Sequence, residues 1–488
     1  MPTDLQTNIK LRSNTRNYQT MKKSKNIVII GLAAVLLSSC KAYHSLYDEY
    51  KRPQVKADSI VRDPLLDDAM LHQTDTASFG NLPWRSVFTD PQLQTIIEKT
   101  LRNNPNLINA ALNIDMAEQQ LKMAKLAFLP SVAFAPQGSV SHLGAFEQGN
   151  KATLAYSLPI SASWTIDLFG NLRSQKRAAQ AALLQTKDYE LTVKTSLISN
   201  VANLYYTLLM LDKQMEIVKN MQSLTKDTWD MMKLQMSFGR ARSTSVQSAE
   251  AAYYSVLTQD ADLKGQIREV ENSLSLLMGE PAHSIARGKL EDQSLPSTFS
   301  TGIGLQLLSN RPDVHANEMA LAQCFYGVET ARSRFYPSIT ISPTGAFTNS
   351  NGLVNPGKIL LSVIGQLTQP IFAQGKLVAG LRVAEDQYKQ AYNTWQNSIL
   401  TAGNEVSNAL VKYNSSDEKS KLEEKRIQVL KANVEHTQML YKQSSSSYLE
   451  VITAQQSLLN AEIAKVQDDF SKMQAVVNLY YALGGGTK

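Results

Sequence analysis

The chain has 488 residues, with 49 Lys and Arg against 43 Asp and Glu, 43% hydrophobic residues and two cysteines. The basic excess lies at the front: residues 1–39 hold six Lys/Arg and one acid, leaving 43 basic and 42 acidic residues beyond them. So nearly neutral a body excludes the electrostatic footprint of a nucleic-acid-binding protein, and two cysteines exclude a disulfide scaffold.

Lys22, Lys23 and Lys25 precede the apolar run Ile27 to Leu37, the length of a signal-peptide core and too short to span a bilayer. It ends in Leu37-Ser38-Ser39-Cys40, which resembles a bacterial lipobox. There the cysteine thiol is diacylated and Cys40 becomes the first mature residue; the alternative is an ordinary cleaved signal with a chance cysteine. Residues 1–39 are thus leader and signal peptide, with Met21 as the expected start. Cys324 falls inside an apolar helix and reads as a small buried hydrophobe. Residues 40–83 lack periodicity and read as an extended leader. Order begins at Trp84, and Thr89 or Asp90 caps a helix that has Pro91 at its first position.

From there the chain says the same thing twice. Asn104-Pro105-Asn106-Leu107 opens a helical stretch closed by Leu129-Pro130-Ser131, and Arg311-Pro312-Asp313 opens one closed by Tyr336-Pro337-Ser338, at an offset of 207. The offset then becomes 205 and holds from Gly170/Gly375 to Gly279/Gly484. A register kept this long marks an internal repeat: a first copy over 84–280, a linker over 281–306, a second copy over 307–484 and a tail over 485–488.

Each copy has four parts. A helix comes first, then two strands, predicted near 131–141 and 154–168 in the first copy and 338–348 and 358–371 in the second. Leu154 to Leu168 alternates for fifteen residues, with Leu154, Tyr156, Leu158, Ile160, Ala162, Trp164, Ile166 and Leu168 on one face and a Ser/Thr-rich set on the other. Pro159 and Pro343 imply bulges or edge positions. Long helices follow, near 172–238 and 376–443; the first lacks Pro and Gly for 67 residues, about 100 Å of helix. Leu197, Val201, Leu204, Leu208, Leu211, Met215 and Val218 form a heptad seam, and Leu459, Ile463, Val466, Phe470, Met473, Val477 and Tyr480 form its counterpart on the returning helix. Turns fall at 237–245 and 443–450.

Strands of this length with one apolar and one polar face can cross an outer membrane when tilted. Four cannot close a barrel, and an open edge in lipid leaves backbone groups unsatisfied at a cost of several kcal/mol each. The barrel must be shared, two copies giving about eight strands and three about twelve. The fold class expected is an α+β membrane protein in which long helices hang from a shared sheet.

The doubled helix–strand–strand–helix unit, Trp84 with Asp90-Pro91, the Pro105 and Pro312 motifs, and Asp167-Leu168-Phe169-Gly170 resemble the TolC/OprM-type outer-membrane efflux proteins. With the lipobox, the chain is similar to the lipoprotein branch serving resistance–nodulation–division (RND) pumps. The resemblance implies a homotrimer with a 12-stranded transmembrane β-barrel and a periplasmic α-helical barrel. It also implies outer-membrane lipid around the barrel, a periplasmic adaptor (membrane fusion protein) and an inner-membrane RND transporter as partners, and passive export of drugs or other small molecules.

The family's gate lies at the turns between long and returning helices, which puts Glu450, Thr453 and Ser245 at a constriction. Gly239, Arg240, Arg242, Ser444, Ser445, Ser446 and Ser447 then face the adaptor. Thr453 stands where a second acid is common, so a single ring of carboxylates is expected. Glu450 also fits a capping box with Ser447, so gate and cap both remain open. No cofactor, metal or nucleic acid is expected, and the dispersed histidines and missing nucleophile or phosphate-binding motifs argue against an enzyme. A secretion duct of the same fold and a pore-free coiled-coil scaffold stay as alternatives.

Overall fold

The computed structural model describes residues 48–54, 79–141, 153–296, 311–349, 358–443 and 447–487. The signal segment and Cys40, most of the leader, both strand-connecting loops, much of the linker and Ser444–Ser446 lie outside the described residues. In chain order the elements are helices α1 (Trp84–Val87), α2 (Pro91–Asn103) and α3 (Pro105–Leu126), strands β1 (Ser131–Phe134), β2 (Gln137–Ser141) and β3 (Thr153–Ile166), and helices α4 (Asn171–Ser237) and α5 (Ser243–Leu277). Then come α6 (Pro312–Ser333), strands β4 (Ser338–Asn349) and β5 (Lys358–Thr368), and helices α7 (Lys376–Lys442) and α8 (Tyr448–Ala482). The chain divides into two compact units, and each draws on both halves of the sequence.

The first unit holds the strands, the helix ends that join them and residues 48–53. Its sheet is antiparallel throughout, in the order β1/β2–β3–β4–β5. β1 and β2 lie on β3 in one unbroken register, Ser131 opposite Ser163 and Ser141 opposite Thr153. The segment read as one strand is therefore split only at Ala135-Pro136, opposite Leu158 and Pro159.

The prolines correct the sequence reading. Pro159 and Pro343 sit in the two central strands, and the register does not shift at either. Each is absorbed by a local lapse in pairing instead. β3–β4 pairs run from Tyr156↔Asn349 to Ser161↔Thr344 and resume at Trp164↔Ile341, skipping the two positions Ala162/Pro343 and Ser163/Ser342. A missing N–H removes one ladder bond without forcing an extra residue into the strand. Gly170 and Gly375, with φ of 73° and 77°, turn each strand exit into the following helix, a left-handed conformation that costs a β-carbon. The Asp167 carboxylate accepts from Leu172 N at 3.1 Å and Arg173 N at 2.9 Å, which starts α4.

The second unit is helical. The heptad positions of α4 are its spine: Val201, Leu208 and Val218 are fully buried, with Leu197, Leu211 and Met215 nearly so. Val477, Leu479 and Tyr480 of α8 pack on them, together with Trp84, Phe88, Leu93 and Ile97. The entry motifs are hydrogen-bonding devices. Asp90 Oδ1 accepts from Gln92 N at 2.8 Å, which makes Asp90 rather than Thr89 the cap. Asn104 accepts from Asn106 N at 2.9 Å and donates to Leu277 O at 2.9 Å. Arg311, 3% exposed, reaches Asp313 at 2.7 Å, Glu405 at 2.5 Å and the Ala482 carbonyl at 3.2 Å. Cys324 is half-buried, less enclosed than expected, and burial still pushes its thiol up.

Candidate functional site

The sheet has two chemically distinct faces. Cross-strand partners share a face, so Leu158, Phe347 and Ile359 form one row, Ile160, Gly345 and Leu361 the next, and Ile166, Ile339 and Leu367 another. The opposite face carries Ser161, Thr344 and Ser362, then Thr165, Thr340 and Gln366. It is interrupted by the apolar row Pro159, Ala346 and Leu360, by Ile364 and by the small Ala133 and Ala155. Along all five strands only Lys358, at one end, is charged. The apolar face is uncovered: Leu361 is 84% exposed and Val363 74%. An open apolar surface of this kind marks a membrane or partner contact. Tyr156 and Phe347, their rings 6.2 Å apart, stand towards one end of this face, and Trp164, whose indole donates to Phe128 O at 2.9 Å, stands towards the other. Aromatic side chains at both ends of an apolar band are what a bilayer's two interfaces select. β5 and β1/β2 pair on one side only among the described residues, so both sheet edges present unpaired backbone groups.

The second candidate region is the pair of turns between long and returning helices. At the first, Gly239 (φ 70°) ends α4: its N–H donates to Met236 O and Arg240 N–H to Gln235 O, each at 2.9 Å. Glycine suits this left-handed closure. Arg240 and Arg242 are exposed and make no ion pair among the described residues, and Ser245 is half-buried in the first turn of α5. At the second turn, Ser447 is the N-cap residue of α8, but its hydroxyl makes no cap bond to the backbone. It donates instead to Glu450 Oε1 at 3.3 Å, so the forward half of the expected capping box is replaced by a side-chain pair. Glu450 and Thr453 are exposed, and the Thr453 hydroxyl donates to Leu449 O at 2.8 Å.

Behind the turns sits a cluster that the sequence reading missed. Met232, Val246 and Ala249 pack with Trp229, Tyr441, Tyr448 and Ile452, joining α4, α5, α7 and α8. Trp229 stacks on Tyr253 at 5.6 Å, and Lys233 lies over the Trp229 ring. Buried Gln455 donates to Thr228 Oγ1 at 3.0 Å. The available signal was a break in the repeat: at the 205 offset, Tyr441 and Tyr448 face Met236 and Ser243 of the first copy. Among the described residues no helix is long and apolar enough to cross a membrane, and no group of side chains is placed to hold a metal ion.

The outer membrane efflux protein family model matches residues 96–280 and 305–485. The chain belongs to the outer membrane efflux protein family. It is 26% identical over 460 residues to the cation efflux system protein CusC of Escherichia coli O157:H7, covering 93% of this chain and 97% of that one. It is 25% identical over 416 residues to SilC of Salmonella typhimurium, named a probable outer membrane lipoprotein, covering 84% and 89%. It is 26% identical over 472 residues to TtgC, a probable efflux pump outer membrane protein of Pseudomonas putida, covering 95% and 96%. A crystal structure of CusC superimposes with a TM-score of 0.80 at 25% identity, covering 90% of this chain and 99% of that chain. This efflux protein is therefore one of the outer membrane.

Proposed function

We propose that this efflux protein is a passive duct, formed by three copies whose sheets join edge to edge into a 12-stranded barrel. The observation that carries this is the sheet itself, apolar on one face, mostly hydroxyl-lined on the other and, among the described residues, unpaired at both edges. An apolar face suits lipid and a hydroxyl face suits a wet lumen, and edges in lipid must find partners. Cys40 carries the lipid anchor. The turns at Gly239–Arg242 and Ser444–Ser447 meet the periplasmic adaptor, and an inner-membrane RND transporter supplies the energy. Glu450, with Thr453 and Ser245, lines the closed constriction as one ring of three carboxylates. The strand region has almost no fixed charge, so it discriminates little between cargoes, and the transporter decides which drugs or small molecules pass.

The test is planar-bilayer conductance of the purified protein beside Glu450→Gln. A small flickering conductance that rises in the variant is expected. A variant with unchanged conductance and lowered thermal stability would reduce Glu450 to a helix cap.

A further inference from the structure

In the first unit the ends of four helices meet the sheet, and they are strongly basic. Over 119–130, 167–178, 326–337 and 369–382 there are nine Lys/Arg and two acids, in a protein otherwise close to neutral. Six of the nine, Lys122, Lys125, Lys176, Arg334, Lys376 and Arg382, make no ion pair among the described residues. All but half-buried Lys176 are exposed. Most of the nearby acids are engaged elsewhere. Asp167 starts α4, and Glu329 holds Arg332 at 2.9 Å with Glu385 3.9 Å from the same guanidinium. Glu49 holds Arg177 at 2.7 Å and Asp386 holds Lys389 at 2.9 Å, while Asp48 lies beside Glu329.

Local helix chemistry explains only part of this. Lys122, Lys125 and Arg334 lie at or just beyond helix C-termini, where the macrodipole favours cations. Lys376 does the reverse. It opens α7, whose first turn has no acid, and a cation there is disfavoured unless an anion from outside compensates. The six lie within about 9 Å of axial rise from the helix ends next to the sheet, just beyond the aromatic level marked by Trp164.

We infer that these helix ends form a cationic belt that binds the headgroups of anionic phospholipid in the leaflet bordering the sheet. This rests on the reading of the apolar face as membrane-embedded. Juxtamembrane Lys and Arg gain on the order of 1 kcal/mol each from an anionic surface, and the attraction decays within a Debye length of about 8 Å at physiological salt.

The test uses the full-length lipidated protein in discs of mixed phosphatidylcholine and phosphatidylglycerol, extracted gently and weighed by native mass spectrometry with its retained lipid. The wild type is expected to enrich phosphatidylglycerol roughly tenfold, which corresponds to about 1.4 kcal/mol, and to lose the enrichment when salt is raised during extraction. Lys125→Gln/Arg334→Gln/Lys376→Gln/Arg382→Gln is expected to retain both lipids equally. Flotation into pure phosphatidylcholine vesicles reads insertion separately. A wild type that does not float overturns the embedded sheet. One that floats but retains both lipids equally, or enriches phosphatidylglycerol regardless of salt, overturns the belt. A variant that keeps the enrichment while its channel loses anion preference also overturns it, placing the cations along the duct. If the variant does not fold, the wild-type enrichment and its salt dependence still decide.

Discussion

Around Tyr205 and around Trp229 the same long helix α4 meets different company. Near Tyr205, Val201, Leu208 and Leu209 are sealed under α8, and the Tyr205 hydroxyl donates to Asp90 Oδ2 at 2.6 Å while accepting from Gly288 N at 3.0 Å. Burial and Asp90 together push that hydroxyl well above the usual tyrosine range. Gln293 completes the network by donating to the same carboxylate at 2.8 Å. About seven helical turns further on, only Met232, Val246 and Ala249 are buried in the local cluster. There the Trp229 Nε1, the Tyr448 hydroxyl and Gln455 Oε1 are buried without a partner among the described residues. Unpaired buried polar groups cost about 1–3 kcal/mol each. The middle has two of its own, Thr100 Oγ1 and Asn203 Oδ1, but offsets them with a far larger buried core. The end of the bundle that carries Glu450 is therefore less firmly held than its middle. Low local stability is what a moving element needs.

The largest effect should come from hollowing the firm region. Leu208→Ala, at a fully buried seam position, is expected to destabilise by about 3 kcal/mol in chemical denaturation. Arg311→Met comes next. It leaves the Ala482 carbonyl, Asp313 and Glu405 without their guanidinium, and since both carboxylates are partly exposed the loss should be about 2 kcal/mol. Neither should alter gating if the folded trimer forms. The smallest stability effect is expected at the loose end. Gln455→Leu gives up one hydrogen bond to Thr228 and removes an unpartnered Oε1. Its unfolding free energy should stay within about 0.5 kcal/mol of wild type, while its channel opens less often. A loss as large as that of Leu208→Ala would erase the contrast between the two regions.

The repeat made most of the helices and strands readable, because its features are local and periodic. The Pro- and Gly-free run predicted a helix over 172–238, and α4 runs from Asn171 to Ser237. The alternation of Leu154–Leu168 gave β3 its faces, although β5 puts Leu360 and Ile364 on the hydroxyl face and its pattern was correspondingly blurred. What alternation does not carry is cross-strand register, so Pro159 and Pro343 imply bulges or edge positions, whereas the sheet holds both in central strands without a shift. Capping signals were similarly incomplete: the Ser447–Glu450 spacing is right for a box, but the two side chains bond to each other. The aromatic cluster at the turns depends on contacts between helices more than 200 residues apart, such as Tyr441 with Met232 at 3.3 Å. Nothing local announces those.

Disulfide trapping decides whether neighbouring copies close the sheet's open edges. In a Cys324→Ser background, Val132→Cys on one edge is combined in turn with Ile359→Cys, Leu361→Cys, Val363→Cys and Leu367→Cys on the other, and each protein is oxidised in the outer membrane. Crosslinking requires β-carbons about 3.8 Å apart. At least one combination should give a ladder that stops at three chains, and neither single-cysteine parent should give that ladder. A ladder that stops at two chains, or none with any combination, would contradict the shared barrel.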